Sequence, residues 1–338
     1  MALLTRLLLD EGVLDYDGVE EAHKAQVIYG GRIGTNLVEL GLITEEQLCK
    51  VLEKSYGIPS VQLSPETIDP EAVKAIPEKF VRQYKVFPFG KRRITVSLAM
   101  ADPSKRSTIA DISYTTGLII KPFVSPEHRL DKMLEQYFDM PIPWRYTDSY
   151  EEDVAPEDIQ EALNRPIEPL TLDQARRALD VATHGKEIPN AVLGLSKQYF
   201  QRAVMLVAKK DELIGLDGYS PPRKAGFAQG YRLSLKEPSI FSETVRNGTP
   251  FRGPLPERDL EEDFIDFVGG DMPNTAFLAP ISLRGRVVNV LYGDSGPNRS
   301  IPGDLSELAL FLAQAAQAYE RLIKQRVERT LKESSKDV

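Results

Sequence analysis

Apolar positions in the first fifty-five residues form a pattern that occurs twice. Leu8, Leu9, Gly12, Leu14, Val19 and Gln26 align with Leu37, Val38, Gly41, Ile43, Leu48 and Ser55 at a constant offset of 29 residues, which marks a tandem repeat. In the second copy Leu37, Val38 and Leu40 give a short helix an apolar patch, Gly41 supplies the positive φ that ends it, and Leu48, Val51 and Leu52 recur at helical spacing on a second helix. Thr44 stands where that helix starts, with Gln47 as the other half of a capping box. One pair of short helices cannot cover its own apolar face; two pairs can cover each other.

Beyond Tyr56-Gly57-Ile58-Pro59 the period changes. Helical turns are predicted over 70–76 and 78–84, strands over 86–89 and 94–99 around a Gly90-Lys91-Arg92-Arg93 turn, a helix over 107–116, a strand over 119–124 and a helix over 126–138 with Leu130, Leu134 and Phe138 on one face. Prolines and acids dominate 140–169, which reads as a linker with one helical turn at 159–163 and the single tryptophan, Trp144, beside its start. A second unit follows, with helices over 172–184 and 190–201, strands over 203–208 and 213–219, a helix over 240–247, strands over 276–283 and 287–294, and a long helix from about Leu305. Helices flanking an antiparallel sheet make the fold class α+β. In the last helix Leu308, Leu312, Ala315, Tyr319 and Leu322 are spaced 4, 3, 4, 3. That stripe suits first a helix packed on its own sheet, with a parallel homodimer seam as the alternative. Residues 329–338 carry too little apolar content to fold and are expected to be a disordered tail.

A chain of 338 residues is long for one domain and comfortable for two. Its formal charge of −8 argues against a general DNA or RNA binder, whose affinity would come from neutralising many phosphates. One cysteine, Cys49, excludes an intramolecular disulfide and suits a reducing compartment, and its place between Leu48 and Val51 suggests an inert, partly buried thiol. No apolar run approaches the roughly 20 residues that span a bilayer. Asp10 and Glu11 break the opening leucine stretch too early for a signal peptide. The expected location is the cytoplasm.

The repeats resemble the N-terminal domain of the type II secretion and type IV pilus assembly ATPases, the GspE-type N-terminal domain. In the members called MshEN each copy reads roughly Arg-Leu-Gly-x-x-Leu-Leu/Val-x-x-Gly-x-Ile/Leu-x4-Leu-x3-Leu-x2-Gln, with a five-residue spacer, and the pair wraps cyclic di-GMP. The spacer here, Val27 to Gly31, has that length. The second copy keeps Arg32, Ile33 and Gly34 but has Ser55 at the Gln position. The first keeps Gln26 but has Leu3, Leu4 and Thr5 in place of Arg-Leu-Gly, and His23 in place of a Leu. Downstream phrases at 76–81, 96–103 and Thr116-Gly117 follow the family order, so the resemblance covers about residues 1–139, with the repeats at 1–57 and a small α/β part at 58–139. The stretch from Phe277 to Asp294 and the order of elements around it resemble a GAF domain, a small sensor fold, over 170–328. The bilin-holding use of that fold needs a linking cysteine, and none lies in this half.

The first resemblance implies a candidate cyclic di-GMP site at Gln26, Arg32, Ile33, Gly34, Leu37, Val38 and Gly41. Arginine suits such a ligand because its planar guanidinium donates two parallel hydrogen bonds to a phosphate or to the O6/N7 edge of guanine. Gly34 would let the chain approach closely, helix N-termini near Thr35 and Thr44 would offer N–H groups, and Leu37 and Leu40 would flank a base. The plain alternative is that Arg32 faces solvent before a helix and the leucines are core.

Other chemistry finds little support. A P-loop needs Gly-x4-Gly-Lys followed by Ser or Thr, whereas Gly90-Lys91 and Gly185-Lys186 are followed by Arg92 and Glu187. Gly293-Asp294-Ser295-Gly296 resembles a serine-protease nucleophile segment but reads as the turn leaving a hairpin strand, without a base and an orienting acid around it. His23, His128 and His184 lack metal-ligand spacing. The cluster Lys91 to Arg93 reads as a solvated strand turn. The expectation is therefore a non-catalytic regulatory protein with no cofactor and no metal. It would bind cyclic di-GMP as a regulatory ligand and meet components of a type IV pilus or type II secretion machine, with the C-terminal part sensing a small ligand or forming a homodimer. The competing expectation is a pure protein–protein adaptor with a degenerate nucleotide site.

Overall fold

A computed structural model describes residues 2–140 and 166–335, apart from 222, 224 and 257. The chain divides into two compact units, one comprising Met1–Gln26, Gly31–Pro143 and Val327–Val338, the other Val27–Gly30 and Trp144–Arg326. The predicted linker turn at 159–163 and Trp144 lie outside the described residues.

The first unit opens with four helices, α1 (Ala2–Asp10), α2 (Tyr16–Tyr29), α3 (Ile33–Glu39) and α4 (Glu45–Tyr56). They form the two predicted copies, and the repetition extends to individual hydrogen bonds. Gly12 N–H donates to the Leu9 carbonyl as Gly41 N–H does to that of Val38, each at 3.0 Å; Val13 donates to Leu8 as Leu42 does to Leu37, again at 3.0 Å. Both glycines sit at positive φ, +64° and +69°, where a side chain would be strained. The second helix of each copy is capped at the matching place, with Gly18 N–H donating to Asp15 Oδ1 at 2.8 Å and Gln47 N–H to Thr44 Oγ1 at 3.1 Å. In α4 the capping box is complete. Leu4, Leu8, Leu14, Val19 and Ala22 of the first copy share one core with Ile33, Leu37, Ile43, Leu48 and Val51 of the second.

The remainder of this unit is a three-stranded sheet in the order β1 (Val86–Arg92), β2 (Thr95–Met100), β3 (Ile119–Val124), antiparallel between β1 and β2 and parallel between β2 and β3. It packs with the short helices α5 (Pro70–Val73) and α6 (Glu78–Tyr84) and with α7 (Arg106–Thr116) and α8 (Glu127–Phe138) around Val81, Phe87, Val96, Leu98, Ile112 and Leu130. Strand β1 runs through Gly90 to Arg92, so the turn lies later than predicted, with Arg93 at φ +52°.

The second unit carries α9 (Leu172–Val181), α10 (Glu187–Ser196), β4 (Arg202–Lys209), β5 (Glu212–Tyr219), β6 (Arg232–Ser234), α11 (Ile240–Asn247), β7 (Phe251–Gly253), α12 (Asp259–Val268), β8 (Ala276–Leu283), β9 (Arg286–Asp294) and α13 (Ser306–Ser335). Its six strands form one sheet in the order β6-β5-β4-β9-β8-β7, antiparallel at every pairing. This is an antiparallel sheet flanked by helices, as the α+β reading of the sequence expects. The prediction missed β6, β7 and α12, and it started α10 late because Pro189, tolerated in a first helical turn, reads as a breaker. An aromatic cluster fills the core: Phe264 meets Phe241 at 4.7 Å and Tyr292 at 4.8 Å between ring centroids, both edge-on.

Two expectations are corrected. The tail expected from residue 329 continues α13 to Ser335, and within the first unit Thr330 is buried with its hydroxyl 2.9 Å from His23 Nε2. Good helix formers such as Glu328, Arg329 and Lys332 extend an existing helix at little cost even where apolar residues are few. The supposed dimer seam is spent internally, since Leu308, Leu312, Ala315, Tyr319 and Leu322 are all buried within their own chain.

The protease-like segment has a structural explanation. Asp294 ends β9 opposite Arg202 at the start of β4 and is fully buried. It accepts hydrogen bonds from Arg202 Nε at 2.8 Å, Tyr292 Oη at 2.7 Å and Gly296 N–H at 2.7 Å, while Arg202 Nη2 also donates to the Asp271 carbonyl at 2.9 Å.

Two outcomes follow from this packing. A Cβ on Gly34 would come within 2.9 Å of Leu48 Cδ1, and the first copy has the opposite pairing of sizes, Thr5 with Val19. In urea unfolding of the full chain, Gly34→Thr is expected to cost about 1–3 kcal/mol and Leu48→Val about 1 kcal/mol, with the double variant recovering part of the sum; strictly additive losses would refute the size exchange. Arg202→Met is expected to cost about 3–5 kcal/mol by leaving Asp294 buried without its cation. A loss below about 1 kcal/mol would show that Tyr292 and Gly296 suffice.

Candidate functional site

The predicted ligand residues separate into interior and rim. Ile33 and Leu37 are buried in the core shared by the two repeats. Gly34 is buried too, and its missing side chain makes room for Leu48. Gln26 is buried and donates from Nε2 to the Gly31 carbonyl at 3.0 Å, bracing the turn between the copies. Val38 is half-buried, and Gly41 has nothing within 4 Å of the place a Cβ would occupy. Leu40, suggested as a base-flanking residue, is exposed. Of the N–H groups near Thr44, those of Thr44 and Gln47 are engaged by the capping box, and α3 begins at Ile33 rather than at Thr35.

Arg32 is the N-cap residue of α3, in extended conformation, and its side chain contributes no cap. It reaches instead to the α/β part of the same unit. Nη1 donates to the Ala101 carbonyl, just past β2, at 3.3 Å, and Nε lies 3.6 Å from Glu127 Oε1 at the first turn of α8. The Tyr56 hydroxyl, at the end of α4, and Asp102 also face it. Burial works against the Arg32 charge, yet Glu127, Tyr56 and Asp102 outweigh it and hold the guanidinium above its ordinary range. Nε is buried without a hydrogen-bond partner.

The acids nearby respond in the opposite sense. Burial pushes the Glu127 carboxyl up to about 8 against the pull of Arg32, with Asp131 one helical turn on adding to the rise. Burial pushes Asp131 up to about 6, opposed by Lys85, His128 and Arg32. A second tie joins the same elements: Glu45, at the start of α4, accepts from Arg129 Nε at 2.6 Å and lies 3.3 Å from His128 Nε2. For Glu45 burial is outweighed by those hydrogen bonds, which hold it below its ordinary value.

Tyr56, Ala101, Asp102 and Glu127 were not singled out in the sequence. The family-like phrase at 96–103 contains Ala101 and Asp102, which was the available signal; nothing local marked Glu127. Cys49 is buried, and burial pushes its thiol up to about 11, as suits an inert residue. Among the described residues no group of His, Cys, Asp or Glu is arranged to hold a metal, and no helix is long and apolar enough to cross a membrane.

Comparison with known proteins supports the family resemblance in the α/β part that follows the repeats; the candidate ligand residues, between 26 and 41, lie before the matched stretch. The MshEN domain profile matches residues 56–143. The type IV pilus assembly ATPase PilB of Myxococcus xanthus is 30% identical over 135 residues, 40% of this chain and 24% of that protein. Among solved structures, one of MshE with cdg is 28% identical and aligns with 40% of this chain and 97% of its own, at a TM-score of 0.32. A GAF domain from a phosphoenolpyruvate-protein phosphotransferase of Coxiella burnetii is 13% identical and aligns with 46% of this chain and 93% of its own, at a TM-score of 0.37. The chain thus spans about a quarter of the length of the pilus ATPase it matches. About two fifths of the chain is similar to part of the type IV pilus assembly ATPases, and residues 56–143 are similar to the MshEN domain.

Proposed function

We propose that the N-terminal unit is a regulatory module that binds cyclic di-GMP at Arg32, and that the chain acts in the cytoplasm, without catalysis of its own, on a type IV pilus or type II secretion machine. The observation that carries the reading is the state of the Arg32 guanidinium. It is half-buried and charged, its bond to Ala101 is long, and its Nε donor is unspent. A phosphodiester or the O6/N7 edge of a guanine would supply the missing acceptors in the plane the guanidinium already defines. Val38 and the open surface at Gly41 lie on the same repeat and leave room for the rest of a ligand. The partner class rests on the likeness of this region to pilus assembly ATPases. A ligand that favours one arrangement of the repeats would shift the population able to dock on that partner.

A second reading, an adaptor with no small ligand, is favoured by one specific observation. Only the second repeat has an arginine at this place, the first having Leu3, and that arginine already faces Glu127.

Calorimetric titration of the full chain with cyclic di-GMP near pH 7 separates the two. Saturable binding that weakens about tenfold to a hundredfold in Arg32→Ala, the worth of one bidentate contact of about 1–3 kcal/mol, is the expected outcome. No heat and no rise in melting temperature at high ligand leaves the adaptor. Binding indifferent to Arg32→Ala would place any site elsewhere.

A further inference from the structure

Resting on the ligand reading above, we propose that Glu127 holds the seat at Arg32 that an anionic ligand must take, so that binding displaces this carboxyl and weakens as it ionises. Three elements of the first unit converge on the guanidinium. From α4 comes the Tyr56 hydroxyl, from the end of β2 the Ala101 carbonyl and the Asp102 carboxylate, and from α8 the Glu127 carboxyl. Among the described residues Glu127 alone lies within ion-pairing distance of Arg32, at 3.6 Å from Nε.

A phosphate approaching Nε therefore meets a carboxyl at the same spot. Two like charges within about 4 Å in a half-buried site repel strongly, and one must leave or take a proton. The surroundings favour the proton. Glu127 faces Arg32 and Lys85 as cations, Asp131 as a like charge with His128 beside it, and burial carries its titration up to about 8. Below that pH Glu127 is a neutral neighbour and the Arg32 charge is open to an anion; above it Glu127 is itself the anion. Displacing Glu127 also undoes one of the two ties between the second repeat and α8, leaving that of Glu45 with Arg129 and His128, which gives the ligand a structural effect.

The raised carboxyl leaves a signature in the empty protein as well. A folded-state value above the unfolded one means a stabilising contribution fully present below about pH 4.5 and lost as the pH rises through about 8.

The test is calorimetric titration of the full chain with cyclic di-GMP at about pH 6.5 and about pH 9, for wild type and Glu127→Gln, with circular dichroism confirming the fold of each. Wild type is expected to lose roughly tenfold in affinity between the two pH values, and the variant to keep its low-pH affinity throughout. A flat wild-type profile overturns the proposal whatever the variant does. So does a variant that binds more weakly at both pH values or shows the wild-type slope, and both results leave the cyclic di-GMP reading standing. Absence of binding by either protein at either pH removes that reading and this inference together.

Discussion

Two helical pairs share one core, and that sharing governs what the rest of the first unit can offer a ligand. Leu8, Leu14 and Val19 from one copy and Leu37, Ile43 and Leu48 from the other fill a single interior. Each such side chain contributes about 1.5–3 kcal/mol by leaving water, so none can be withdrawn to line a site without unfolding its neighbours. The motif positions at Ile33, Gly34 and Leu37 are accordingly explained by packing. What remains for recognition is the rim, and its one cationic motif residue is Arg32.

Two arginine–carboxylate pairs, Arg32 with Glu127 and Arg202 with Asp294, show why Arg32 is a candidate and Arg202 is not. Arg202 and Asp294 form a closed set, every contact short, with Tyr292, Gly296 and the Asp271 carbonyl using what the ion pair leaves over. A charge satisfied in this way holds β4 to β9 and has nothing left to give. Around Arg32 the distances are long and a donor is idle, while the opposing carboxyl is pushed toward its neutral form. Such an arrangement can stand empty and still gain from an acceptor.

The local grammar of the chain was legible in its sequence. Gly12 and Gly41, the Thr44–Gln47 cap and the strand at 119–124 fall where residue type and spacing put them, because each is decided by residues within a few positions of one another. The short strands β6 and β7 have three residues each, too few for any period to register. Helix α12 had a usable signal in Leu260, Phe264 and Phe267, masked by the acids between them. The site was half legible. Arg32 could be found from its motif, but Glu127 lies 95 positions away and reaches it only because β2 and α8 fold back on the second repeat. Helix α13 decides between the two readings its sequence left open, in favour of packing within its own chain. Its heptad-like stripe is real, yet a stripe states only that one face is covered, and here the chain covers it itself.

The difference between the copies is the more informative part of the repeat. Where they agree, at the glycine turns and the core leucines, the agreement maintains the shared interior. Where they differ, Leu3 stands against Arg32 and Thr5 against Gly34. The second difference is compensated in volume by Val19 against Leu48, so it leaves packing intact. The first has no counterpart, and it removes one of two positive charges. A site with two arginines could lose part of one contact and still hold its ligand. Under the proposed reading, a single arginine would make recognition depend on the groups around it, and the ionisation of one neighbouring carboxyl would become comparable in weight to the contact itself.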